Sequence, residues 1–189
     1  MRCFIAIDLD GHTRSAIGRL QKELQDKLRL RRGDAKWVEP TLIHLTLKFL
    51  GDVRDNDLPA VTAALQEIAA GRKRFDVAVG RVGTFGSPAR VLWVGIDPSQ
   101  PLSALVAEIE AAMEPLGFAR ESRPYEGHLT LCRIKSNGAG VAVRNLAREY
   151  EGLRIGSVAV EAVRLYKSDL TKAGPIYTVL KDFALQPEI

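Results

Sequence analysis

Alternating apolar runs and helical apolar stripes take turns along the chain. Residues 3–8 read as a strand, and Asp10-Gly11-His12-Thr13 breaks it and can start a helix. Ile17, Leu20, Leu24 and Leu28 then recur at spacings of three and four, the stripe of an amphipathic helix. Leu30-Arg31-Arg32-Gly33-Asp34 ends it, with basic residues near the negative end of the helix dipole. Trp37-Val38-Glu39-Pro40 leads into an alternating stretch, Thr41 to Leu50, closed by Gly51-Asp52. Leu58, Val61, Leu65 and Ile68 stripe a second helix that stops at Gly71. Phe75 to Val79 alternates as a strand, and the glycine-punctuated segment Gly80 to Pro88 reads as a mobile loop. A buried strand follows at Val91 to Ile96, then a helix striped by Leu102, Leu105, Val106, Ile109, Met113 and Leu116 that stops near Gly117. A second alternating stretch begins at His128. A Gly/Ser/Asn loop, Ser136 to Gly140, precedes a weaker helix through Leu146 and Tyr150. Residues 154–166 read as one long strand and Ile176 to Phe183 as the last, joined by a turn-like link from Ser168 to Pro175.

The order strand, helix, strand, helix, strand therefore occurs twice, and the third element carries the same tetrapeptide each time. His44-Leu45-Thr46-Leu47 returns unchanged at His128-Leu129-Thr130-Leu131, an offset of 84 residues, while the opening strands at Phe4 and Leu92 are offset by 88. This predicts an internal repeat, approximately 1–88 and 89–189, within a single bilobal domain. In a strand, residues i and i+2 share a face. Each tetrapeptide thus buries two leucines and presents an imidazole and a hydroxyl on the other side. The predicted fold is α+β: two pseudo-symmetric lobes, each a mostly antiparallel sheet with outer helices, and an active-site groove between them where the two His/Thr faces meet.

Composition narrows the class. The chain has 189 residues, 46% hydrophobic and 26% charged, ordinary values for a globular protein. No apolar run is long enough to cross a bilayer, so no membrane partner is expected. The N-terminal segment is too short in apolar residues for a signal peptide and reaches Asp8 at once, which reads as a cytoplasmic protein. A monomer is the default. The net charge of +4 fits a polyanionic ligand without requiring one. Cys3 and Cys132 lack CxxC spacing and read as inert, reduced core thiols. There is no clustered set of His, Cys, Asp and Glu at ligand spacing, so neither a metal nor a cofactor is expected.

Two of the three histidines head the repeated tetrapeptide. An imidazole titrates near about 6.5 and serves as acid or base at neutral pH. Two of them facing one substrate can divide the work, one activating water while the other protonates the leaving oxygen. Each such contribution is worth on the order of 10² to 10⁴ in rate. Thr46 and Thr130 can hold the non-bridging oxygens of a phosphodiester. A lone strand histidine is usually packed or solvated, but two identical copies in matching halves point to a site at His44 and His128.

These residues resemble the two-histidine phosphoesterase superfamily, and more closely its RNA 2′,3′-cyclic phosphodiesterase (2′-5′ RNA ligase) family. The resemblance runs nearly end to end. It rests on Phe4-Ile5-Ala6-Ile7, His44 through Gly51, Val91-Leu92-Trp93-Val94-Gly95, Arg123-Pro124-Tyr125 with His128 through Leu131, and Leu165 through Leu170. Two positions depart from the family pattern: Gly127, where proline is usual, and Cys132, where alanine is common. The resemblance implies metal-independent hydrolysis of RNA 2′,3′-cyclic phosphate ends to 2′-phosphomonoesters, with His44 as proton donor and His128 as proton acceptor. It also implies a weak reverse 2′-5′ ligation needing no nucleotide cofactor. The repeat alone treats the two histidines alike and leaves the roles interchangeable. Alternatives are a phosphodiesterase acting on another cyclic phosphate or a 2′-5′ oligonucleotide, and a non-catalytic module that binds RNA ends.

Other residues carry weaker expectations. Lys48 shares the face of His44 and Thr46 if the strand stays regular, and would then meet phosphate. Arg133 points away by strict alternation and reaches phosphate only through a bulge or a strand end; the family commonly has an arginine there. Phe49 and Tyr125 can stack on a base, with core packing favoured for Phe49. His12 reads as solvent-exposed. Gly80 to Gly86 lacks the lysine and following helix of a phosphate loop. Arg29, Arg31, Arg32 and Arg72, Lys73, Arg74 read as solvated helix-end clusters that can guide RNA.

Overall fold

Asp10, in the first breaker, caps helix α1 (Gly11–Leu28), its carboxylate accepting from the Thr13 N–H at 2.8 Å and the Thr13 hydroxyl at 2.9 Å. The computed structural model describes residues 1–172 and 174–187. Before α1 lies strand β1 (Arg2–Ile7), and after it come β2 (Ala35–Trp37), a 3₁₀ turn (Pro40–Leu42), β3 (Leu45–Asp52), α2 (Leu58–Ala70) and β4 (Phe75–Phe85). The second half contains β5 (Val91–Ile96), α3 (Gln100–Met113), a 3₁₀ turn (Glu114–Leu116), β6 (His128–Ile134), α4 (Asn137–Arg148), β7 (Arg154–Val160), β8 (Ala162–Leu170) and β9 (Pro175–Ala184). No helix among the described residues is long and apolar enough to cross a membrane.

The strands form two antiparallel sheets, ordered β3-β1-β8-β9 and β2-β6-β5-β4-β7. This is the expected α+β architecture of two lobes, but the lobes are not the two halves of the chain. β4 follows the first motif strand yet pairs with β5, and β8 returns from the second half to pair with β1. The helices cross over too. α1 and α4 cover the five-stranded sheet, and α2 and α3 cover the four-stranded one. One apolar core runs through both, with Ile5, Leu45, Leu65, Leu105, Ile109, Leu129 and Phe183 fully buried. Burying each such side chain contributes about 1.5–3 kcal/mol, and the exchange of strands and helices makes that burial depend on both lobes at once.

Four sequence expectations are corrected. Gly80 to Phe85 is strand, not loop; β4 runs through it and only a tight turn at Gly86 to Ala89 remains. The glycines there serve close approach: a Cβ on Gly83 would lie 2.3 Å from the Trp93 ring, and one on Gly80 would lie 2.5 Å from the Leu153 carbonyl. Helix α4 begins at Asn137, inside the expected loop, because Ser136 accepts from the Ala139 N–H and caps it. The single strand expected over 154–166 is two, β7 and β8, broken at Glu161 where the chain changes sheets. The link expected from Ser168 to Pro175 shrinks to a turn after Leu170, and residue 173 in it lies outside the described residues.

If Gly83 is there to admit Trp93, Gly83→Ala overpacks the sheet and costs about 1–3 kcal/mol, read as a lowered Tm. Gly138→Ala, where a methyl meets nothing within 4 Å, serves as control and leaves Tm unchanged or slightly raised.

Candidate functional site

The repeated leucines set the pose of the motifs. Leu45 and Leu47 in β3, and Leu129 and Leu131 in β6, are buried, which turns His44, Thr46, His128 and Thr130 to the opposite face, where all four are half-buried. β3 and β6 come within 8 Å of each other, Cα to Cα, although they belong to different sheets. Tyr125, in the segment leading to β6, donates its hydroxyl to the Thr46 carbonyl at 3.0 Å and ties the second motif to the first.

Both strands then do the same irregular thing. Opposite β1, Thr46 pairs with Ala6 and Lys48 with Ile5, so Leu47 is an extra residue. Opposite β5, Thr130 pairs with Trp93 and Cys132 with Leu92, so Leu131 is an extra residue. Each bulge reverses the alternation that follows it. After it, Phe49 and Arg133 face the same way as the motif histidines, while Lys48 and Cys132 turn into the core.

This decides three of the expectations. Lys48 does not reach the site. It is buried and pairs with Glu110 at 2.6 Å, also donating to the Ala119 carbonyl at 2.8 Å. Arg133 follows such a bulge, is exposed on the motif face, and its charge bears on Tyr177 of the other sheet. Phe49, expected in the core, is 71% exposed beside Phe4. Cys132 takes the core position instead, and burial pushes its thiol up to about 12; Cys3 is buried and likewise raised. His12 is exposed at the start of α1.

The two imidazoles are fixed by the same bond. His44 Nδ1 lies 2.9 Å from the Leu42 carbonyl oxygen, and His128 Nδ1 lies 2.7 Å from that of Glu126. A carbonyl oxygen only accepts, so in each ring Nδ1 carries the hydrogen. In the neutral form the lone pair is therefore on Nε2. Each Nε2 is left to take a proton when neutral or give one when charged.

Supporting residues differ between the copies. Around His44 the guanidinium of Arg14 donates to the carbonyls of Pro40 and Thr41 at 2.9 Å and of Ile43 and Leu9 at 3.2 Å, clamping the 3₁₀ turn that supplies the Leu42 carbonyl. The His44 ring stacks on Phe4 at 4.7 Å, Phe4 stacks on Tyr166 at 5.1 Å, and Tyr177 meets His44 edge-on at 5.3 Å. Tyr166 donates to Asp8 at 2.6 Å, and Arg164 bridges Asp8 and Asp182. Burial in this stack lowers the His44 pKa, opposed by the Leu42 carbonyl and the Asp8 carboxylate and aided by Arg14. His128 instead meets Phe85 edge-on at 4.8 Å with Trp93 beyond at 6.5 Å. The buried Trp93 N–H has no partner among the described residues. Gly127 is buried, and its carbonyl accepts from Ile96 at 2.9 Å, fixing the approach to His128.

Arg14, the aromatic stack and Asp8 were not readable as site residues. Arg14 sits among ordinary polar positions of a helix, and the stack depends on which strand lies beside β1. Among the described residues no group of three His, Cys, Asp or Glu side chains comes together as a metal site.

Comparison with known proteins places the geometry. The family model described as LigT like Phosphoesterase matches residues 7–93 and again residues 94–177. A protein of Methanothermobacter thermautotrophicus named RNA 2′,3′-cyclic phosphodiesterase is 34% identical over 187 residues, covering 98% of this chain and 99% of that one. A crystal structure from Thermus thermophilus superposes with a TM-score of 0.81 at 26% identity, covering all of both chains. The structure of Escherichia coli LigT complexed with 3′-AMP does so with a TM-score of 0.77 at 25% identity, covering 97% of each.

The buried His44 ring takes up a proton at lower pH in the folded chain than in the unfolded one. Its contribution to stability therefore falls as pH drops through its ordinary value near 6.5. An NMR titration should give His44 a midpoint below that value. Tyr177→Ala, which opens the ring to water, should move it upward. A wild-type midpoint at or above the ordinary value contradicts the desolvated cradle.

Proposed function

Because the chain belongs to the LigT-like phosphoesterase family, we propose that it hydrolyses the 2′,3′-cyclic phosphate at an RNA end to a 2′-phosphomonoester. The observation that carries this reading is the pair of imidazoles on the motif face, each held through Nδ1 by the carbonyl two residues before it and with no hydrogen bond to Nε2 among the described residues. Water attacks phosphorus, and the bond from phosphorus to the 3′ oxygen breaks. His128 Nε2 takes the proton from the water, and His44 Nε2–H gives one to the departing 3′ oxygen. Desolvation suits His44 to the donor role, since a ring of lowered pKa gives up its proton readily. The anionic cyclic phosphate, arriving beside it, favours the charged form and loads it for the step.

Thr46 and Thr130 hold the non-bridging oxygens, with Arg133 supplying positive charge as it builds in the transition state. Phe49 offers an exposed ring for base stacking. The two imidazoles, two hydroxyls and a guanidinium provide proton transfer and charge stabilisation between them, and the reading assigns no metal. With a 5′-hydroxyl in place of water, the same displacement leaves a 2′-5′ phosphodiester, the ligation that this family resemblance implies, with no nucleotide cofactor.

A short RNA ending in a 2′,3′-cyclic phosphate, incubated in EDTA, should yield a 2′-phosphate. His44→Ala and His128→Ala should each lose roughly 10²- to 10⁴-fold in rate. A 3′-phosphate product, or either variant at wild-type rate, overturns the assignment. Binding of the RNA without turnover overturns it in favour of an end-binding module.

A further inference from the structure

The edge strand β2 is only three residues long, and its central residue, Lys36, pairs directly with Arg133 of β6. Directly opposed residues of a ladder project to the same face. The bulge at Leu131 has turned Arg133 toward the motif face, so Lys36 faces that way too. Ala35 and Trp37, on either side, are half-buried against the core, while Lys36 is exposed. The other lobe closes over this pair. A methyl group on Gly174, in the β8–β9 turn, would lie 3.7 Å from the Lys36 ammonium, and the Arg133 charge bears on Tyr177 of β9.

Neither cation forms an ion pair among the described residues. Like charges directly opposed in a ladder destabilise it, so an anion shared between them removes a penalty as well as adding an attraction. That anion lies beyond the reacting phosphate, with Arg133 standing between the two and Lys36 on the outer side. Because Leu131 is bulged out, Arg133 is two ladder positions beyond Thr130, about 7 Å at roughly 3.3 Å per residue, and Lys36 lies one strand farther out, about 5 Å more. One phosphate held by His128 and Thr130 does not extend to Lys36, whereas the neighbouring phosphate of a polynucleotide does.

We propose that Lys36, together with Arg133, forms a subsite for the backbone phosphate on the 5′ side of the terminal nucleoside, which makes an oligonucleotide end, and not a free nucleoside cyclic phosphate, the preferred substrate. This rests on the reaction assigned above and extends it to the substrate's second phosphate.

The test compares adenosine 2′,3′-cyclic phosphate with the dinucleotide that carries one further 5′ adenosine, using wild type, Lys36→Gln and Lys36→Arg over a range of salt concentrations. Wild type should favour the dinucleotide by about tenfold or more in kcat/KM. Lys36→Gln should lose about tenfold on the dinucleotide, the scale of one charge-assisted hydrogen bond, with the loss confined to that substrate. The salt slope for the dinucleotide should fall by about 0.7, as for one lost phosphate contact on a single strand. Lys36→Arg should restore most of the activity. Equal use of both substrates by wild type, or an equal effect of Lys36→Gln on both, overturns the subsite and leaves the hydrolytic assignment standing. Hydrolysis of neither substrate overturns the hydrolytic assignment and the subsite with it.

Discussion

The hydrogen bond from each motif histidine to the carbonyl two residues before it is the constraint on which the site depends. It sets the tautomer, stops rotation of the ring and leaves one nitrogen to do chemistry. A bond so local needs its carbonyl held still. At His44 that task falls to Arg14, whose guanidinium gathers four carbonyls around the turn containing Leu42. At His128 it falls to the backbone, through the bond from Ile96 to Gly127 beside Glu126. A guanidinium loses little freedom per hydrogen bond it makes, which suits it to fixing an irregular turn outside any sheet.

The paired bulges give the repeat its chemical asymmetry. Both come one residue after the motif threonine, and both return the next-but-one residue to the motif face. In the first copy that residue is Phe49, beside a stack of Phe4 and Tyr166. In the second it is Arg133, beside Lys36. One wall is therefore aromatic and the other cationic. This matches the two kinds of surface a nucleotide presents, a stacking face and a charged backbone.

The duplicated tetrapeptide, the buried leucines and the four helices were legible because each is a periodic pattern with one energetic solution. The bulges were not, since a strand with one extra residue reads like any other strand. Lys48 was therefore placed on the wrong face, and Arg133 was left waiting for an irregularity that the residue pattern does not reveal. Phe49 was assigned to the core on its hydrophobicity, although the bulge sends it outward and gives the core position to Cys132 in the other copy. The glycines of β4 misled for a different reason. Glycine marks both turns and close approaches, and only the Trp93 ring over Gly83 tells which applies. The exchange of β4 and β8 between sheets follows from pairing at long sequence separation, on which local periodicity is silent.

Long-range proton–nitrogen correlation spectra of the imidazoles, recorded with the rings brought to the neutral form, test the central claim directly. The account predicts that His44 and His128 both carry their hydrogen on Nδ1, with Nε2 unprotonated and shifted accordingly, while exposed His12 shows the mixture of a free imidazole. Either motif ring found with its hydrogen on Nε2 would contradict the account, because that ring could not donate to its carbonyl or offer Nε2 as a base.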